Sequence, residues 1–111
     1  MNENERTDSD PSGATVLEDE SDLRPPRKYA VILHNDDYST MDFVVEVLEK
    51  FFERNRVEAT AIMFKVHQEG RGVAGVYPFE IAETKCSQVT QYARKKGFPL
   101  KCTWEPLDEE K

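Results

Sequence analysis

The chain has 111 residues and a formal net charge of -7, with 38% hydrophobic and 33% charged residues. That length holds one domain, provided most of the chain contributes to a common core. No run is long and apolar enough to span a bilayer, and the N-terminus lacks the basic-then-apolar layout of a signal peptide, so the expected location is cytoplasmic, with no membrane contact. The charge is unevenly placed. Residues 1–26 hold eight acids and two bases, a net of -6, whereas the other 85 residues are close to neutral at -1. An acidic arm beside a near-neutral domain argues against nucleic acid, which selects a basic face. Few aromatic or β-branched residues and the Pro25-Pro26 stop make residues 1–26 a disordered extension, unable to offset its ordering entropy by burial. The domain is expected over residues 27–106, with a short charged end at 107–111. Cys86 and Cys102 form no CxxC pair and have no His or Cys at metal-ligand spacing, which makes both reduced packing residues.

In chain order, the β-branched and apolar run from about Lys28 to Leu33 predicts a strand that breaks off in the polar cluster Asn35-Asp36-Asp37. Ser39 or Thr40 then offers a helix N-cap, and Ser39-x-x-Asp42 has the spacing of a capping box. Phe43, Val47 and Phe51 recur every four residues, as do Val44, Leu48 and Phe52 on the next row, predicting a first helix that ends near Arg54-Asn55. A second helix is expected from about Glu58 to Gln68 on Ala59, Ile62, Met63, Val66 and His67, closed by Gly70. Arg71 to Tyr77 is short and β-branched, hence a strand. Pro78 suits a first helical position, and Phe79, Ala82, Cys86, Val89, Thr90 and Ala93 continue the helical spacing to Gly97. Leu100 to Trp104 is the third strand. The order β-α-α-β-α-β predicts an α+β fold, a two-layer sandwich of three helices on one face of a three-stranded, mixed or mostly antiparallel sheet, with its other face partly exposed.

Two features carry candidate chemistry. Asn35-Asp36-Asp37 reads either as an ordinary strand-to-helix turn, since these side chains bond their own backbone, or as a cation-holding loop. His67 shares helical spacing with Met63 and Val66, and is either a packing residue or an acceptor. Should the loop and the second helix lie side by side, a carboxylate, an amide oxygen and a neutral imidazole nitrogen would converge as three acceptors, a set suited to a small cation with three donors.

The motif Val-Ile-Leu-x-Asn-Asp-Asp-Tyr-x-x-Met-x-Phe-Val, Val31 to Val44 here, resembles the opening signature of the ClpS family, bacterial adaptors that deliver N-end-rule substrates to the Clp chaperone-protease. The resemblance continues through Ala61-x-Met63-x-x-Val66-His67-x-x-Gly70, Gly75-Val76, Ala82-Glu83-Thr84-Lys85, Tyr92-Ala93-Arg94 and Pro99-Leu100-x-Cys102, covering nearly the whole domain. It implies that the ligand is the free N-terminus of a polypeptide, whose α-amine has a pKa near 8 and presents three donors when protonated. By position, Asn35, Asp37 and His67 would bind that ammonium and Asp36 the adjoining backbone. The first side chain (Leu, Phe, Tyr or Trp) would enter a pocket of Leu33, Met41, Met63, Val66 and Leu100, where adaptable methionine suits both Leu and flat rings. The resemblance makes Met41 a gate against Ile and Val. Ser39 stands where the family usually has Thr and would touch the substrate backbone; Thr40 stands where many relatives have Pro.

Delivery requires a second surface. Glu80, Thr84 and Lys85 lie off the apolar row of the third helix and read from spacing alone as a solvated face. The resemblance implies that they dock on the N-terminal domain of a ClpA-type AAA+ unfoldase, with the chain acting as a monomer and no cofactor. The 26-residue extension, spanning up to about 90 Å when extended, would approach the unfoldase pore during hand-off. Three other readings remain beside this one. Catalysis by Asp36, Asp37 and His67 finds no nucleophile elbow, P-loop or dinucleotide fingerprint to support it. A metal site of the same residues lacks a ligand spacing. A purely structural interaction domain would make His67 packing only.

Overall fold

A computed structural model describes residues 27–107; the acidic extension over residues 1–26 and most of the charged C-terminal end lie outside the described residues. The first apolar run forms β1 (Lys28–His34), one residue longer than its sequence pattern. Thr40, not Ser39, caps α1 (Met41–Phe52): its hydroxyl accepts from the Phe43 N–H at 3.0 Å. With the Ser39 hydroxyl left without a partner, the Ser39-x-x-Asp42 capping box is not formed.

The junction between the first two helices differs from the sequence pattern, because two short-range devices act there. Glu53 adopts a left-handed conformation at φ 55° and turns its N–H back to the Leu48 carbonyl, ending α1 at Phe52. Asn55 and Glu58 then cap each other reciprocally. The Glu58 N–H donates to Asn55 Oδ1 at 2.8 Å and the Asn55 N–H to Glu58 Oε1 at 3.1 Å. This capping box starts α2 (Arg56–Glu69) at Arg56, ahead of the expected Glu58. β2 (Arg71–Pro78) follows, then α3 (Phe79–Lys96) and β3 (Lys101–Pro106). Pro78 is the last residue of the strand and the N-cap of α3, not its first helical residue. Its φ of -60° fits either state, and its ψ of 158° keeps it extended.

The sheet order is β2-β1-β3 and both pairings are antiparallel, so the sheet contains no parallel pair. All three helices lie against one face. Val31 and Leu33 of β1, Val47 and Leu48 of α1, Met63 and Val66 of α2, and Val89 and Ala93 of α3 share one apolar cluster. Each large side chain buried there contributes about 1.5 to 3 kcal/mol. The other face is partly exposed, with Ala30 and Ile32 of the central strand still buried, and a bulge shapes it. Val31 pairs with Gly75 but Ile32 with Val73, which leaves Ala74 as the extra residue. Val73 and Val76, three apart, are therefore both exposed, and the Ala74 carbonyl accepts from Arg54 Nε at 2.9 Å. Arg71 on one edge strand reaches Glu105 on the other at 2.9 Å, across β1. Among the described residues no helix is long and apolar enough to cross a membrane.

Candidate functional site at the end of β1

β1 delivers the Asn35-Asp36-Asp37 cluster to one end of the sheet, and the chain bends there because Asp36 holds the turn. Asp36 Oδ1 accepts from the Tyr38 N–H at 2.8 Å and the Ser39 N–H at 2.7 Å. Burial pushes the Asp36 carboxyl up, but the Ser39 N–H and hydroxyl, the Tyr38 N–H and the charge of Arg94 together hold it below the usual carboxylate range. The Ser39 hydroxyl favours the ionised carboxyl, although its geometry falls short of a full hydrogen bond. Asp36 Oδ2 and Ser39 Oγ are both shielded from solvent and without a partner among the described residues. A buried polar atom left unpaired costs about 1 to 3 kcal/mol, so these two oxygens are places where a donor would be gained.

The loop and α2 do lie side by side. In the sheet His34 is level with Arg71 on one side and Lys101 on the other. One step further, the Asn35 N–H donates to the Gly70 carbonyl at 2.9 Å. Gly70 closes α2 at φ 91°, with its own N–H on the Val66 carbonyl, so the loop is joined to the helix end one turn from His67. Gly72 permits this closeness: a Cβ there would stand 2.9 Å from Val66 Cγ2. Of the expected site residues, Asn35, Asp37 and His67 are exposed and Asp36 and Ser39 half-buried. Leu33, Met63, Val66 and Leu100 are buried in the common core cluster, while Met41, on the first turn of α1, is 44% exposed. The polar loop thus follows directly on the strand that carries Leu33 into the core. Among the described residues no three His, Cys, Asp or Glu side chains stand together so as to hold a metal ion.

The α3 set is divided by the fold. Glu80 and Thr84 are exposed, but Lys85 is half-buried and does not belong to a solvated face. Its Nζ donates to the Phe51 carbonyl at 2.6 Å, at the end of α1, and lies 5.5 Å from the Tyr77 ring and 5.9 Å from that of Phe52. A cation placed on the last carbonyls of a helix is favoured by the helix dipole. Cys86 and Cys102 are free and buried, as their spacing suggested, with sulfurs 3.5 Å apart. Three contributors escaped the sequence reading: the Gly70 carbonyl, Gly72 and Arg94. In the sequence, Gly70 was legible as a helix-closing residue, and Gly70 and Arg94 as members of the family motifs, with no role in the site attached to either.

Comparison with known proteins places this chain among adaptors of an ATP-dependent protease. The sequence model described as "ATP-dependent Clp protease adaptor protein ClpS" matches residues 24–103. The ATP-dependent Clp protease adapter protein ClpS of Shewanella denitrificans is 57% identical over 86 residues, which is 78% of this chain and 84% of that protein. Its counterpart from Shewanella loihica is 56% identical over the same coverage. Among solved structures, Agrobacterium tumefaciens ClpS2 bound to L-phenylalaninamide is similar at a TM-score of 0.72 and 37% identity, covering 75% of this chain and all of that one. The chain belongs to the ClpS family.

Proposed function

We propose that this adaptor binds polypeptides through a free N-terminal Leu, Phe, Tyr or Trp at the end of β1 and hands them to a Clp-type AAA+ unfoldase without itself catalysing a reaction. The observation that carries the reading is the hydrogen bond from the Asn35 N–H to the Gly70 carbonyl, which sets the acceptor loop beside the helix that bears His67. In this reading Asn35, Asp37 and His67 receive the α-ammonium. Asp36 and Ser39, each with an unpaired buried oxygen, meet the donors of the first peptide units. The first side chain lies over Leu33, Met63, Val66 and Leu100, and the exposed Met41 closes over it and rejects β-branched residues. A solved relative of this fold carries an aromatic amino-acid amide, which has the free amine and the first side chain of such a ligand.

The unfoldase surface is proposed on the exposed face of α3 around Glu80 and Thr84, with a ClpA-type N-terminal domain as the partner and the adaptor working as a cytoplasmic monomer. Lys85 contributes there from a position anchored on α1. Fluorescence anisotropy with labelled ten-residue peptides tests the binding half. A free N-terminal Leu should bind, the N-acetylated peptide should bind far more weakly, and an Ile terminus should be rejected. Equal affinity for all three would leave a structural interaction domain as the reading.

A further inference from the structure

The segment between α3 and β3 has no ladder to hold it, yet it carries the floor of the site. α3 closes at Gly97, at φ 88°, and the Phe98 N–H returns to the Ala93 carbonyl at 2.8 Å. Residues 98–100 then run outside helix and strand until β3 begins at Lys101. Arg94 bridges this gap. Its Nη1 donates to the Phe98 carbonyl at 3.0 Å and to the Leu100 carbonyl at 3.0 Å, so a single nitrogen grips both ends of the segment.

What Arg94 grips is placed by the sheet. Leu33 is level with Cys102 and His34 with Lys101, so Asn35 and Leu100 each adjoin the last paired residues of their strands. Leu100 is fully buried in the core cluster that also holds Leu33, Met63 and Val66. On the opposite side Asn35 is fixed to Gly70. The loop therefore stands between two clamps, a backbone bond to the end of α2 and the Arg94 grip on residues 98–100. The guanidinium also contributes positive charge at the Asp36 carboxyl, which brings the same side chain near the acceptor loop. Carbonyls of an irregular segment need only some donor, and water suffices for exposed ones. A charged side chain holding two of them fixes a position as well.

We propose that Arg94 is a positioning residue of the N-terminus site: by holding the carbonyls of Phe98 and Leu100 it sets the distance between the Leu100 floor and Asn35, and with it which first side chains fit. Arg94 itself touches no ligand. The proposal rests on the reading of the site given above.

The test uses the full chain and three variants, R94M, R94Q and R94K, with free Leu and Trp peptides, the acetylated Leu peptide, and thermal unfolding in parallel. Binding is read well below every unfolding midpoint. Met has no donor, and Gln is two atoms too short to reach both carbonyls but keeps an exposed position polar, so it serves if the Met variant does not fold. Expected for both is a loss of about tenfold in affinity for the Leu terminus and a changed Leu-to-Trp ratio, with the preference for a free amine retained. The Lys variant, with a cationic donor one atom shorter, should recover most of the affinity. Unfolding midpoints that fall while Leu and Trp affinities and their ratio stay at the unsubstituted values would overturn the proposal and leave the N-terminus reading intact. An unsubstituted chain that does not distinguish free from acetylated Leu would overturn the N-terminus reading and this proposal with it.

Discussion

The polar groups at the end of β1 and those on α3 contrast in what they are bonded to. Lys85 looks in sequence like a surface cation, yet its ammonium is taken up by the Phe51 carbonyl and two aromatic rings. Asp36 and Ser39 look like turn residues, yet after the turn is made one oxygen of each remains shielded and unpaired. Partnered polar atoms hold a fold together; shielded ones left unpartnered call for a donor that the described residues do not supply. Charge and exposure alone would have ranked the two regions the other way.

The sharpest way to separate them is a pair of substitutions with opposite signatures. Asn35→Ala should weaken binding of a free Leu terminus by the value of a charged hydrogen bond, about 1.5 to 3 kcal/mol, which is roughly 10- to 150-fold. Its backbone bond to Gly70 survives the change, so the urea midpoint should barely move. Lys85→Met should do the reverse. Denaturation should report a loss of up to about 1.5 to 3 kcal/mol, the value of a charged hydrogen bond, with peptide affinity retained. Gly72→Ala breaks the contrast on purpose: the new methyl meets Val66 Cγ2 at 2.9 Å, so the Val66 side chain or the α2 backbone next to His67 must give way. Stability should fall by about 1 to 3 kcal/mol and affinity should fall as well, measured on the same preparation.

The smallest effect concerns the open face. His34 Nε2 lies 2.7 Å from Thr103 Oγ1, and burial, with Lys101 and Arg71 nearby, pushes the His34 pKa below its usual 6.5, Glu105 opposing. A folded-state pKa below the unfolded one means that the unfolded chain binds the proton first. Stability from this group is therefore complete above about pH 6.5 and is lost as pH falls below that value toward the folded pKa. Replacing His34 by Gln should flatten this part of a stability–pH profile without altering peptide binding at pH 7.5.

The architecture was legible where periodicity is long and one-sided. The rows through Phe43, Val47 and Phe51 and through Ala82, Cys86, Val89 and Ala93 located α1 and α3, and the β-branched run located β1. Errors gathered where backbone devices outrank pattern. The left-handed Glu53 and the Asn55–Glu58 box set the α1–α2 junction, and Pro78 stayed extended as the N-cap of α3 instead of opening it. For the candidate site, the residue types and the family motif named the expected acceptors, and the structure joins the loop that carries Asn35 to the end of α2 at Gly70. The direction of Lys85 depends on a carbonyl 34 residues away, and the grip of Arg94 on how the irregular segment after α3 folds back, neither of which the helical pattern reveals.

The central claim, that the end of β1 and not α3 receives the ligand, is tested most directly by mapping backbone amide shifts by NMR while L-phenylalaninamide is titrated into the uniformly labelled chain. The account predicts saturable shifts concentrated in residues 35–41, 66–70 and 98–102, with Glu80 and Thr84 unmoved. Shifts centred on α3, or on the open sheet face around Val73 and Val76, would contradict it.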